Sequence, residues 1–369
     1  MRTEAAILWK TGDPWSVEEV ELDPPHRGEI LVRLAASGLC HSDDHVRVGD
    51  LPSELPVVGG HEGAGVVEEV GPGVERIRPG EHVVLAFLPA CGHCRWCSTG
   101  HQNLCDRGAN VATGRPLDGT YRIHTRGRDV GAVATLGTFS PYAVVQEQSA
   151  VVVDDDVPLD LAALVGCGVT TGWGAAVNRA QVEPGETVVV VGAGGLGISA
   201  VQGARVAGAE RIIAVDPVAF KRTEALRFGA THTSPSMDEA FGLVQQETRG
   251  VMADKAIMTV SLARADLFIP FLALVRKGGR GVVTSVAPPS LQNIGLPVNE
   301  FVLYQKELVG NVFGGANQFA EIPKLLGLWK RGLLKLEEMV TTVYKLDGVN
   351  DGYRDLLDGK NVRGLIRYS

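Results

Sequence analysis

Two kinds of segment in one chain predict the fold class, α/β plus β: a mostly-β domain with a doubly wound parallel sheet inserted into it. Short apolar runs broken by Pro and Gly fill residues 1 to about 90 and return near the C-terminus, the pattern of short strands. From Glu186 the pattern changes to continuous β-branched strands alternating with helical stretches, as a parallel sheet buried on both faces requires. At 369 residues the chain has room for both. The sequence puts the first domain at 1–171 and 313–369, and the second at 172–312.

In order, Ala5–Trp9 opens as a strand, and Ile30–Leu34, Gly65–Val70 and His82–Ala86 follow, with Pro79-Gly80-Glu81 as a turn. Residues 106–150 form a Gly-rich connection ending in the strand Phe139–Val145. Leu159–Val165 reads as a short helix leading to Cys167. Thr187–Val191 is a buried strand, followed by a helix to about Ala207 and a second strand, Arg211–Val215. Strands are expected at Ala253–Val260, Gly281–Val286 and Leu308–Phe313, with helices at Leu262–Val275 and Ile322–Arg331 and a last strand at Gly364–Tyr368.

Composition excludes several classes of function. A formal net charge of −8 offers no footprint for nucleic acid or an anionic membrane. No apolar run reaches membrane-spanning length, and Met1-Arg2-Thr3-Glu4 lacks the apolar core of a signal peptide, so a cytoplasmic protein is expected.

The six cysteines carry the strongest signal: Cys40, Cys91, Cys94, Cys97, Cys105 and Cys167. In a cytosolic chain, clustered cysteines bind metal more often than they pair as disulfides. Cys91, Cys94, Cys97 and Cys105 can wrap one tetrahedral Zn²⁺ with four thiolates, which leaves no open position and gives a structural site over residues 91–105. His93 and His101 in that loop read as solvated bystanders. A zinc-ribbon, nucleic-acid-binding reading competes, but it wants two separated Cys-x-x-Cys knuckles and basic surroundings; here one arm is a triplet and the chain is acidic. Cys40 and Cys167, with His61, make a tripod with a free fourth position, the composition of a catalytic zinc. Each of the three taken alone is as well explained by burial in a core.

Gly192-Ala-Gly194-Gly195-Leu196-Gly197 follows a strand and opens a helix, and Asp216 ends the next strand. That context turns a weak glycine motif into a dinucleotide fingerprint, against the bland reading of a βαβ core without ligand. Asp216 is suited to hold ribose hydroxyls and repel a 2′-phosphate, favouring NAD over NADP, while nearby Arg222 softens that exclusion.

The chemistry these groups imply is hydride transfer: zinc lowers the pKa of an alcohol, and a nicotinamide takes the hydride. The alcohol's proton must leave; Ser42, two residues from Cys40, is placed to begin that transfer and His45 to end it near solvent. Asp43 is placed to orient His61. The bland alternatives are a turn hydroxyl, a surface histidine and a cap.

With Gly38-Leu-Cys40-His-Ser-Asp-Asp-His45, Gly59-Gly-His61-Glu62-Gly-Ala-Gly65, the four-cysteine lobe, Gly166-Cys167-Gly168-Val-Thr-Thr171-Gly172 and Gly192–Gly197, the chain resembles the zinc-containing alcohol dehydrogenases of the medium-chain dehydrogenase/reductase superfamily. The resemblance runs over essentially its full length. It implies a GroES-like catalytic domain, an inserted Rossmann coenzyme domain, two zinc ions and NAD, and a homodimer or homotetramer. It puts catalytic ligands at Cys40, His61 and Cys167, with Glu62 as an alternate ligand, and relay groups at Ser42 and His45. Coenzyme positions fall on Thr171, Gly192, Gly194, Gly195, Leu196, Gly197, Asp216, Lys221 and Arg363, and substrate-pocket positions on Leu51 and Phe87. His41 stands where Arg often binds the coenzyme pyrophosphate, which implies affinity that weakens as pH rises.

The runs Val215–Arg222 and Asn103–Asp106 also look like an actinobacterial-type subgroup, some of whose members are nicotinoproteins that keep NAD(H) bound and pass electrons to an external acceptor. The expected activity is therefore reversible hydride transfer between NAD and a small primary alcohol or its aldehyde. A thiol-adduct-dependent formaldehyde dehydrogenase is a second reading within the same fold. A short-chain dehydrogenase is disfavoured because no Tyr is followed four residues later by Lys.

Overall fold

The computed structural model describes residues 1–368. The chain divides into two compact units, Met1–Cys167 with Asn317–Ser369, and Gly168–Ala316.

In the first unit, five strands close a barrel: Arg2–Leu8, Ser16–Leu22, Ile123–Thr125, Arg128–Ala132 and Val57–Val58. A second sheet runs Ala150–Val153, His82–Leu85, Gly63–Val70, Glu29–Gly38, Arg363–Arg367, Val340–Tyr344. Tyr142–Gln146 pairs with the first half of Glu29–Gly38, and Arg363–Arg367 takes over along its second half. Ile30, Val32, Leu34, Val67, Val83, Leu85 and Val145 make one core between these strands. Glu29–Gly38 delivers the chain directly to Cys40, and Gly38 is required there: a Cβ would lie 2.1 Å from the Glu62 carboxylate.

The stretch after Cys40, to which the sequence assigns no element, is a helix, His41–Val48, begun by an extended Cys40 and ended by Gly49 at φ 91°. Asp43 and Asp44 in its first turn and Arg47 in its last complement the helix dipole. Residues 106–141, read from sequence chiefly as a Gly-rich connection, contain a 3₁₀ segment, Asp106–Ala112, and the hairpin that completes the barrel.

The second unit is a six-stranded parallel sheet in the order His232–Ser234, Arg211–Val215, Thr187–Val191, Ala253–Met258, Val275–Val283, Glu307–Gly310. This is the doubly wound order, with the switch point beside the first strand, Thr187–Val191, which is buried at every residue. The expected helix at 262–275 is shorter, a 3₁₀ turn at Ala265–Leu267 and a helix at Phe268–Ala273. Pro270 fits only the first turn of a helix, and Val275 already belongs to the following strand. Residues 168–171 fall in this unit because the helix Gly168–Gly174 packs on Gly195–Val206; a Cβ on Gly172 would lie 2.1 Å from the Leu196 carbonyl oxygen. Among the described residues no single helix is long and apolar enough to cross a membrane.

Candidate metal and coenzyme sites

Among the described residues, two groups of His, Cys, Asp or Glu bring their ligand atoms within 4.8 Å of one another: Cys40, His61, Glu62 and Cys167, and Cys91, Cys94, Cys97 and Cys105. All six cysteines are free thiols.

The first group is buried throughout, with Glu62 at 0% and His61 at 3% exposure. Strand end, helix start and the turn before Gly63–Val70 supply Cys40, His61 and Glu62, and Cys167 closes the set from the end of a 3₁₀ turn. Asp43, also fully buried, lies 3.1 Å from His61 Nδ1. The two atoms meet at ion-pair distance but off the hydrogen-bond line, so the contact is chiefly electrostatic. It leaves Nε2 for the two sulfurs. Ser42 Oγ is 3.6 Å from Cys40 Sγ. The Phe87 ring stands edge-on to His61 with centroids 5.9 Å apart.

The donor set fits zinc. A hydrogen bond from Cys167 holds the Cys40 thiol well below its usual range, burial opposing and the charges of His61 and Arg363 assisting. The same bond, with burial and the Cys40 charge, pushes Cys167 well up. By themselves the sulfurs share a proton, and only a cation favours both as thiolates. Burial works to lower the His61 pKa, but Asp43 and Cys40 outweigh it and raise it well above the ordinary value. Burial likewise opposes the charge on Arg363, but Glu62 and both sulfurs outweigh it and keep its guanidinium charged.

Arg363, expected among the coenzyme positions, is buried and donates through Nη2 to the Glu62 carboxylate. The pair is 301 residues apart in sequence, and no local signal announces it. His45, expected near solvent, is 5% exposed because it lies on the inner face of the His41–Val48 helix; its Nδ1 sits 2.9 Å from Asp50, whose side chain is 29% exposed. The half-buried His41 ring stands 6.3 Å from that of His45. Leu51 is tied to the same helix by its N–H to the His45 carbonyl at 3.0 Å, and with Leu55, Phe87 and Val111 it covers an apolar cluster containing Trp15, Val57 and Phe139. Val111 was not legible from sequence; it comes from the patternless 106–112 segment.

In the lobe, main-chain N–H groups point at sulfur: Cys94 N lies 3.3 Å from Cys91 Sγ, and Cys91 N 3.4 Å from Cys105 Sγ. Hydrogen bonds from the Cys97 and Asp106 main chain lower the Cys94 pKa to about 6, while burial raises Cys97 to about 12 and also raises Cys105. Four sulfurs with so little apolar packing around them fit a metal that closes the loop. His93 and His101 are exposed, bonded only within the loop.

In the second unit the glycines divide three tasks. Gly192 adopts φ 98°, and a Cβ on it would meet the Thr259 main chain at 2.9 Å. A Cβ on Gly197 would lie 1.8 Å from the Gly192 carbonyl oxygen, so the helix Gly195–Val206 packs this closely only without one. Gly194 faces open space, with no atom within 4 Å of a built Cβ, the cradle that a pyrophosphate needs at the helix that Gly195 and Leu196 begin. Asp216 accepts N–H bonds from Ala193 and Val218, each at 2.9 Å, and so ties the turn to the second strand. Lys221 lies half-buried on the helix Ala219–Phe228. Arg222 Nη1 is spent on the carbonyls of Asp216 and Pro217 at 2.7 and 2.9 Å. The Thr171 hydroxyl is buried without a partner.

Comparison with known proteins agrees with this chemistry. The family "Alcohol dehydrogenase GroES-like domain" matches residues 26–155, and "Zinc-binding dehydrogenase" matches residues 195–330. An NDMA-dependent alcohol dehydrogenase of Amycolatopsis methanolica is 50% identical over 369 residues, covering 100% of both chains. Alcohol dehydrogenase B of Mycobacterium tuberculosis is 48% identical over 371 residues, covering 100% of this chain and 99% of its own. The crystal structure of benzyl alcohol dehydrogenase from Acinetobacter calcoaceticus superimposes with a TM-score of 0.93 at 30% identity, over 100% of each chain. The chain belongs to the zinc-containing alcohol dehydrogenase family of the medium-chain dehydrogenase/reductase superfamily.

Proposed function

We propose that this chain interconverts a primary alcohol and its aldehyde, with NAD as the hydride carrier and zinc held by Cys40, His61 and Cys167. The buried convergence of those three side chains with Glu62, all ligand atoms within 4.8 Å, carries the reading. Zinc bound there supplies the Lewis acidity that lowers an alcohol's pKa, and NAD supplies the hydride acceptor. Asp43 fixes the His61 ring. Ser42 receives the hydroxyl proton, and His45, backed by Asp50, passes a proton outward. Arg363 neutralises Glu62, which limits the negative charge beside the sulfurs. Phe87, Leu51 and Val111 give the substrate side an apolar wall, which suits an aromatic or aliphatic alcohol. Four further thiolates hold a structural zinc in the lobe.

The turnover test is direct: alcohol-dependent reduction of NAD or of a dye should be lost on zinc removal and restored by zinc alone. A chelated protein that keeps full turnover defeats the proposal. A second reading concerns the coenzyme. The 50% identity to an NDMA-dependent enzyme favours NAD(H) retained through turnover with an external acceptor. Acid release of about one nucleotide per chain from the purified protein supports it; no released nucleotide, with full activity on added NAD⁺, rejects it.

We also place the protein in the cytosol, where its free thiols stay reduced. Self-association is the third element. The outer sheet strand Glu307–Gly310 follows Val302 and Leu303, which are 62% and 76% exposed, and this edge suits pairing with a second copy. A monomer by light scattering at micromolar concentration would refute that.

A further inference from the structure

The helix His41–Val48 starts without the side-chain closure that helix starts normally have. Cys40 is its N-cap residue, extended at φ −114° and ψ 145°, and makes no side-chain capping bond, its sulfur being turned to the ligand cluster. Asp43 holds the third helical position, from which an acidic side chain often returns to the N-cap main chain. Its carboxylate is spent instead on the Gly60 N–H and on His61. Both side chains that would ordinarily fix this first turn therefore serve the metal site.

The hold on Cys40 comes from the far end of the sequence. The helix Val349–Leu357 buries Val349, Gly352, Tyr353 and Leu356, one face at helical spacing. Gly352 lets that face come close, since a Cβ on it would lie 2.3 Å from Leu39 Cδ1. Beside it, buried Tyr353 donates its hydroxyl to the Cys40 carbonyl at 3.3 Å, across 313 residues of sequence. The same carbonyl accepts the Asp43 N–H at 3.2 Å, so the phenol grips the one peptide that links a ligand residue to the carboxylate behind His61. Trp15 and Phe139 pack on the Tyr353 ring, with centroids 6.3 and 6.2 Å away, and fix where the hydroxyl points. Burial, and after it the charges of Asp43 and Cys40, push the phenol pKa well up, which keeps the group a donor. A phenylalanine would fill this apolar cluster equally well, so packing gives no reason for the hydroxyl, whose burial only a hydrogen bond offsets.

We infer that Tyr353 is a positioning residue for the zinc site: its hydroxyl fixes the Cys40 main chain and, through the first helical turn, the Asp43 carboxylate that faces His61. The inference rests on the zinc reading above and deepens it.

The test uses Tyr353→Phe, which keeps the ring and removes the hydroxyl. The full-length protein, depleted of metal at the Cys40–His61–Cys167 site, is titrated with Zn²⁺ against a chromophoric chelator. A parallel titration uses Co²⁺, whose thiolate charge-transfer and d–d bands report the ligand geometry. Tyr353→Phe should weaken zinc by about 3- to 10-fold, the effect of one buried hydrogen bond, and shift the cobalt bands, while the lobe keeps its zinc. Asn350→Ala is the control: Asn350 ties the same helix to the Trp15 main chain by hydrogen bonds of 3.0 and 2.9 Å. It should lower the melting temperature and leave zinc affinity and the cobalt bands as in wild type. Unchanged affinity and bands in Tyr353→Phe, or an equal loss in Asn350→Ala, overturns the inference. If wild type itself takes no metal at this site, the zinc reading fails as well, whereas wild-type binding that Tyr353→Phe does not move sinks only the role of Tyr353.

Discussion

Asp43 Oδ2 lies 3.1 Å from His61 Nδ1, while Asp43 Oδ1 accepts the Gly60 N–H at 2.9 Å, and both side chains are buried. One carboxylate thus fixes both the imidazole and the turn that carries it. The helix beginning at His41 delivers Asp43 there, so Cys40 and the residue that orients its neighbour ligand belong to one short segment.

Asp43→Asn should preserve the fold and lower zinc affinity at the Cys40–His61–Cys167 site by about 10- to 100-fold, the usual effect of losing a carboxylate behind a histidine ligand. Competition against a chromophoric chelator measures it. Unchanged affinity would show that Asp43 only braces Gly60.

The glycine turn separates stability from binding. Gly197→Ala should cost about 1–3 kcal/mol or more, because its Cβ would lie 1.8 Å from the Gly192 carbonyl oxygen. Gly194→Ala meets no atom within 4 Å, so its melting temperature should match wild type while dinucleotide affinity falls on the order of tenfold. Melting curves and binding isotherms on both variants decide, and a Gly194→Ala protein that binds normally breaks the argument.

His124 bridges Asp129 through Nδ1 at 2.8 Å and Asp23 through Nε2 at 3.0 Å. Burial works to lower its pKa, but the hydrogen bonds and charges of the two carboxylates together outweigh it and raise the folded value above the ordinary one. The neutral ring has one N–H and cannot donate to both. Its stabilisation is therefore complete below the unfolded pKa and lost as pH rises through the folded one. His124→Gln should destabilise by no more than about 1 kcal/mol at pH 5.5, since the site is partly exposed, and by less at pH 9. Denaturant titrations at both pH values test the sign; a larger loss at pH 9 contradicts it.

Cys97→Ser should cost the lobe its metal and leave the other site filled, so zinc content should drop from about two to about one per chain. The lobe has little core of its own, chiefly Ala90, Cys97 and Cys105, so proteolysis should then nick residues 91–105 first. Retention of both metals would mean that three thiolates and a water suffice.

What could be read from sequence follows from how tightly the chemistry constrains residue type. The cysteine spacing and the Gly192–Gly197 turn were legible because no other residues serve there. Thr187–Val191 was legible because burial on both faces demands an unbroken apolar run. The helix His41–Val48 was hidden because three of its four buried residues, Asp43, Asp44 and His45, are polar and erase the apolar period. The barrel strands between 106 and 141 were hidden because they are three to five residues long and pair far away in sequence, Ile123 with Leu22 for example. The Glu62–Arg363 contact is a product of the fold alone.

The most direct test of the zinc assignment is X-ray absorption at the zinc edge of the purified protein. Six cysteines shared between two ions predict an average of about three sulfurs per zinc at about 2.3 Å, with the remaining ligands nitrogen or oxygen. About four sulfurs on a single zinc per chain would leave Cys40, His61 and Cys167 without their ion and contradict the proposed chemistry.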